Sequence, residues 1–111
     1  MTKKIPESSW ATELHRFTTR NAGRRIALEI DAPDFGARPR PASLPLRGIT
    51  YDSRDERVLI TLGEQASHDQ QLTHAIQDAT AIILLVDVKG RDEALAIHRK
   101  RTSTLLRFLD F

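Results

Sequence analysis

Thr80-Ala81-Ile82-Ile83-Leu84-Leu85-Val86-Asp87-Val88 is the stretch whose reading decides the fold. Its apolar side chains fall on both faces of an extended chain. Ile82, Leu84, Val86 and Val88 share one face, and Ile83 and Leu85 share the other. A strand of this kind must be covered on both sides. Working outward, Lys89-Gly90-Arg91-Asp92 turns the chain, and Glu93 to His98 resumes as a strand with Leu95 and Ile97 inward. Arg99-Lys100-Arg101-Thr102 turns it again, and Thr104 to Phe111 forms the last strand of a meander. That last strand is also apolar on both faces: Leu106 and Phe108 point one way, Leu105, Leu109 and Phe111 the other.

Upstream, residues 7–20 carry the helical pattern. Trp10, Leu14 and Phe17 recur at i, i+4 and i+7, on one face. Ser8 or Ser9 suits the N-cap, Glu7 suits the positive end of the dipole, and Arg16 and Arg20 suit the negative end. Gly23 is the expected stop, because glycine adopts the left-handed conformation past a last turn. Arg25 to Asp31 alternates, with Ile26, Leu28 and Ile30 on one face, and reads as a half-buried strand. Residues 32–43 hold Pro33, Gly36, Pro39 and Pro41 and read as a loop or irregular edge. Residues 44–51 resume as a strand with a bend at Gly48, and Val58, Ile60 and Leu62 complete a hairpin over 51–62. Glu64 to Gln71 is polar and reads as a loop.

These elements predict a single domain over residues 1–111: helix 7–20, then residues 25–111 as β-sheet or barrel. The class is α+β, mostly antiparallel. The helix packs on a curved sheet, or on a small SH3-like or Sm-like barrel of five to six strands. One short helix covers part of the second apolar face. The remainder, at Leu105, Leu109 and Phe111, is expected to be a subunit or partner interface.

The bulk composition excludes several classes. There is no cysteine, hence no disulfide, no thiolate nucleophile and no cysteine-based zinc site. Lys3 and Lys4 are followed by no apolar signal core, and the run Ala81–Val86 is far too short to span a membrane. The expected location is the cytoplasm. Net charge is only +2, from 17 basic and 15 acidic side chains that are interspersed along the chain.

The chain also resembles a family of short bacterial proteins of unassigned role. The resemblance covers nearly the whole length. It rests on Ile5-Pro6 before Trp10 and Phe17, on Leu44-Pro45-Leu46-x-Gly48-Ile49, on Leu72-Thr73-His74-x-Ile76 and on Thr104-Leu105-Leu106-Arg107-Phe108. The family pattern places a histidine directly before the Leu-Thr-His. Here Gln71 stands there and His68 lies three residues earlier, a departure from any paired-histidine site. The resemblance implies bacterial origin and no particular activity.

No catalytic constellation stands out. His68 and His74, with Asp69 and Asp78 nearby, offer metal-ligating types without a metal-site spacing, and His74 is expected to hydrogen-bond locally at a turn. Ser53, Ser67 and Ser103 lie near charged residues, but none sits in a G-x-S-x-G elbow. Neither G-x-G-x-x-G nor a Walker A run occurs, so no nucleotide cofactor is expected. Arg24-Arg25, Arg38-x-Arg40 and Arg99-Lys100-Arg101 are types that track phosphates. Stacking on single strands needs exposed aromatics. Only six aromatics exist, of which Phe35, Tyr51 and Phe111 are the ones not expected in the core. The reading is a non-enzymatic protein-binding or assembly module that forms a homodimer or takes a protein partner, with Leu105, Leu109 and Phe111 as interface. The alternative is a small nucleic-acid-binding protein using Arg99, Lys100 and Arg101, and an enzyme of unassigned class ranks third.

Overall fold

A computed structural model describes residues 1–32, 36–39, 44–64 and 71–109. Ile5-Pro6 leads into a short 3-10 turn over Glu7–Ser9, and α1 follows over Trp10–Asn21. Trp10, Leu14, Phe17 and Asn21 are its buried positions, one stripe at helical spacing. Ser9 occupies the N-cap, but its hydroxyl makes no capping bond; the preceding 3-10 turn leads the chain into the helix instead. Gly23, at φ +89°, ends the helix as expected. Its N–H donates to the Leu46 carbonyl at 2.8 Å, which ties the helix end to the sheet.

The described residues form nine strands, in chain order β1 Thr2–Lys4 (before the helix), β2 Arg25–Ala32, β3 Gly36–Pro39, β4 Leu44–Asp52, β5 Arg57–Leu62, β6 Leu72–Gln77, β7 Ala81–Val86, β8 Asp92–Arg99 and β9 Thr102–Phe108. They form one antiparallel sheet with the path β1-β7-β8-β9-β2-β4-β5-β6, and β3 pairs beside it with β2. The expected helix on a mostly antiparallel sheet is present, and so is the terminal meander. Closure is not: the edge strands β1 and β6 are not paired with each other among the described residues, so the sheet is open rather than an SH3-like or Sm-like barrel.

The count of five to six strands is exceeded by β1, β3 and β6. Within residues 32–43, expected to be a loop or irregular edge, Gly36–Pro39 pairs with β2. His74 lies within β6 rather than at a turn. Val88 is fully exposed, because β7 stops at Val86. There the Asp87 carboxylate takes over, accepting from the Lys89 and Arg91 N–H groups at 2.9 Å each.

Strands β2 and β4 part early. They pair only at Arg25–Pro45 and Ile26–Leu44; then β4 bulges between Leu46 and Gly48 and runs on with β5. The parting would strand the backbone of β4. Instead Thr18 of α1 brackets Ile49: its hydroxyl accepts from the Ile49 N–H at 2.9 Å and donates to the Ile49 carbonyl at 3.0 Å. The helix thus serves one residue of β4 as a neighbouring strand would.

One core cluster joins Trp10, Leu14 and Phe17 of α1 to inward residues of both arms, among them Ile26, Ile60, Ile82, Leu95 and Phe108. The rings of Phe17 and Phe108 lie 5.7 Å apart, and Trp10 meets Tyr51 edge-on at 5.2 Å. The helix therefore covers the inner face of the sheet. It does not cover the second, outer face as the sequence suggested.

Two outcomes follow from this local chemistry. Thr18→Val leaves both polar groups of Ile49 without their partner and lowers unfolding stability in urea by about 1–3 kcal/mol, while Thr18→Ser keeps most of it. The Arg91 N–H, followed by that of Lys89, holds the Asp87 carboxyl below its usual value, against an opposing effect of burial. A depressed folded pKa stabilises the fold above the unfolded carboxylate pKa, and this is lost as pH falls through the folded one. The stability gap between the native chain and Asp87→Asn should therefore narrow as an acid series passes down through that range.

Candidate functional site

Register places the second-face residues in rows across the outer side of β1, β7, β8, β9 and β2. One row reads Lys4, Ile83, Ala96, Leu105, Glu29. The next reads Thr2, Leu85, Ala94, Arg107, Ala27. Ile83, Leu85 and Leu105 are half-buried. Leu109, just past β9, is 47% exposed, and its N–H donates to the Arg25 carbonyl at 3.0 Å. Arg107 donates to the Glu29 carboxylate and joins the two rows. Leu105 and Leu109 thus lie on the same face, as expected from their spacing. Phe111 is outside the described residues, as are Phe35, Arg40, Ser67, His68 and Asp69.

A third outer row reads Ala81, His98, Ser103, Asp31. His98 Nδ1 and Ser103 Oγ are hydrogen-bonded at 2.8 Å. This is a serine–histidine pair that sequence spacing did not single out. The order is wrong for a relay, since the carboxylate neighbours the serine rather than the histidine it would orient.

The Arg99-Lys100-Arg101 group forms the β8–β9 hairpin tip, with Arg99 opposite Thr102 and Lys100 at φ +51°. All three are exposed. Arg99 shares the inward parity of Ile97 and reaches a small cavity of about 120 Å³ on the inner side of the sheet. Thr102, Thr104, Ile30 and Ile76 line it too, and so does His74, which stands opposite the buried Ile60. The fold brings His74 and Arg99 together across 25 residues of sequence (99 minus 74), a juxtaposition that no motif signalled.

A second polar group lies under the helix. The Asp92 carboxylate accepts from Asn21 Nδ2 at 2.7 Å and from Arg20 Nε at 2.9 Å. Arg24 donates to the Asn21 side-chain oxygen at 2.7 Å and to the Asp92 carbonyl at 3.0 Å, and its guanidinium stacks 3.8 Å from the centre of the Phe108 ring. Asp92 faces inward because β8 carries an extra residue there: Leu85 pairs with Ala94 but Val86 with Asp92. Every member is bonded, which marks a structural clamp. Beside it a cleft of about 450 Å³ runs between α1 and β1, floored by Ile5, Phe17, Leu84 and Val86. Around Tyr51, burial and the carboxylates of Glu56, Glu7, Asp78 and Asp52 push the phenol above its usual pKa. Among the described residues no group of three or more histidine, aspartate or glutamate side chains is arranged to hold a metal ion.

The model of DUF5335, a family of unknown function, matches residues 1–110. The chain belongs to this family. The match bears out the resemblance carried by the Leu-Pro-Leu, Leu-Thr-His and Thr-Leu-Leu-Arg-Phe stretches. No curated protein and no solved structure matches this DUF5335 chain. No helix among its described residues is long and apolar enough to cross a membrane. Two of its family stretches meet in space: His74 of the second and Thr104 of the third line the same small cavity.

Proposed function

We propose that this DUF5335 protein is a non-enzymatic assembly module that pairs with a second copy of itself through the outer sheet face. The observation that carries the reading is the row Lys4, Ile83, Ala96, Leu105, Glu29. It is self-complementary about its centre. A two-fold axis along the strands at Ala96 sets Lys4 of each copy opposite Glu29 of the other, and Ile83 opposite Leu105. The smallest side chain lies on the axis. Cyclic two-fold dimers use one patch against itself in this way. Two twisted sheets stack face to face at roughly 30° and about 10 Å apart, which fits contact along such a row. Half-burial of Ile83, Leu85 and Leu105 supports it further, since apolar surface gathered on one face marks an interface. Leu109 extends the patch towards Arg25. A cytoplasmic location belongs to the same reading and is supported by the absence of cysteine.

The second reading is nucleic-acid binding through Arg99, Lys100 and Arg101. What favours it is three exposed cations at one hairpin tip. Against it, Trp10, Phe17 and Phe108 are buried and Tyr51 packs on Trp10, so none of these rings offers a stacking platform.

Sedimentation equilibrium across the micromolar range decides the first reading. The native chain is expected to reach a dimeric mass. Ala96→Glu sets two carboxylates against each other on the axis and weakens the dimer by roughly a hundredfold or more, and Leu109→Glu weakens it less. Both variants should keep the native circular dichroism spectrum, because both positions face outward. A monomeric mass at high micromolar concentration, or unfolding of Leu109→Glu, would sink the proposal. The second reading instead predicts binding to single- or double-stranded nucleic acid that falls steeply with salt.

A further inference from the structure

Away from the Asp92 clamp, the inner face of the sheet is apolar until its far end. Val58, Ile60, Ile82, Leu95, Ile97 and Leu106 are all buried hydrophobic residues. At the end formed by β6 and the β8–β9 hairpin, the inward positions change character to His74, Arg99, Thr102 and Thr104. Thr104 is the telling one. It stands between Ile97 and Ile30 in its row and is only 3% exposed, yet its hydroxyl makes no hydrogen bond among the described residues. Among the described residues no fully buried side-chain oxygen is left without a partner, so this hydroxyl opens onto the cavity rather than being sealed in the core. Neither Arg99 nor the Thr102 side chain is engaged in an ion pair or hydrogen bond among the described residues.

We infer that this cavity is a binding site for a single phosphate-like oxyanion, held by Arg99 and the hydroxyls of Thr102 and Thr104, with His74 at its edge. Two kinds of side chain converge there that suit oxyanion oxygens. The planar guanidinium of Arg99 presents paired N–H donors and a fixed positive charge. The two threonines supply rotatable O–H donors, and His74 borders them. The volume of about 120 Å³ admits an anion of this size and is well below the clefts that take drug-sized ligands. No carboxylate is among the described residues that line the cavity. The site lies on the opposite side of the sheet from the assembly face and does not depend on it. The same chemistry would grip a free inorganic anion or the terminal phosphate of a small monoester.

The test uses the full chain, inorganic phosphate and phosphoserine, with sodium chloride at matched ionic strength as control. Amide shifts in two-dimensional NMR and the melting temperature are followed together. Saturable shifts at Thr102, Thr104, Arg99 and His74, with a raised melting temperature, are the expected result. Arg99→Gln should weaken phosphate by about tenfold or more, and Thr104→Val by about fivefold. If phosphoserine binds as tightly as phosphate, the natural ligand carries its phosphate on a larger body; if only phosphate binds, it is the free anion. Shifts no larger than with chloride, or a Thr104→Val chain that binds phosphate as the native one does, would overturn the site.

Discussion

The Thr18 hydroxyl bracketing Ile49 is the contact on which the architecture turns. A sheet whose central strands separate has a backbone edge to satisfy. Water cannot serve an edge that is covered by a core, and a further strand is not available at that point. Thr18 supplies a donor and an acceptor from one atom, which is all that one residue of a strand edge requires. With that settled, α1 can lie against β4 and turn Trp10, Leu14 and Phe17 onto both arms. The Gly23 N–H on Leu46 anchors the end of the same helix to the same strand. The helix is therefore part of the sheet's hydrogen-bond economy as well as a lid on its core.

The two β-bulges complement this arrangement. The irregularity in β4 lets the strand leave β2 and follow β5, and the one between β7 and β8 turns Asp92 inward. Without the extra residue, Asp92 would share the parity of Ala94 and face out. Facing in, it meets Asn21 at the C-terminal end of α1, where Arg20 and Arg24 also converge. A buried carboxylate is costly alone and tolerable when every lone pair is engaged. The clamp joins the last turn of the helix to the far arm of the sheet, opposite the β4 bracket. The helix is thus held from two sides by polar contacts with fixed geometry, and apolar packing fills the space between.

What was legible in the sequence was whatever carried its own period. α1, β2, the β4–β5 hairpin and the terminal meander all show apolar alternation or a helical stripe, and each was located to within a few residues. The three strands that escaped are defined by their partners. β1 is Thr-Lys-Lys and has no apolar pattern; it exists because β7 offers an edge. β3 holds a glycine and a proline, and its pairing with β2 outweighs their poor strand propensity. β6 alternates Leu72, His74 and Ile76, but the histidine at its centre hid the inward face. Placing the helix on the second apolar face failed for a related reason. The stripe of Trp10, Leu14 and Phe17 says that the helix is covered, and nothing in the stripe says by which side of the sheet. Of the candidate residues, Leu105 and Leu109 followed from parity alone. The meeting of His74 with Arg99 depends on how far the open sheet curls, which no local pattern encodes.

The incomplete closure of the sheet leaves the molecule two chemically different surfaces. A closed barrel would have brought β6 against β1 and buried the inner ends of the strands among apolar residues. Left open, the inner face runs out at the β8–β9 hairpin, and polar residues there can be half-covered without being sealed. The outer face obeys a different constraint. Ala96, Ala94 and Ala27 leave it nearly flat between the larger side chains of Ile83, Leu85 and Leu105. A flat face with opposite charges at its two edges, Lys4 and Glu29, can meet its own copy without a like-charge contact in that row. Helix, bulges and core therefore fix one side of the sheet against the other, so that a ligand held at the inner end and a partner on the outer face would act on the same strands, β8 and β9.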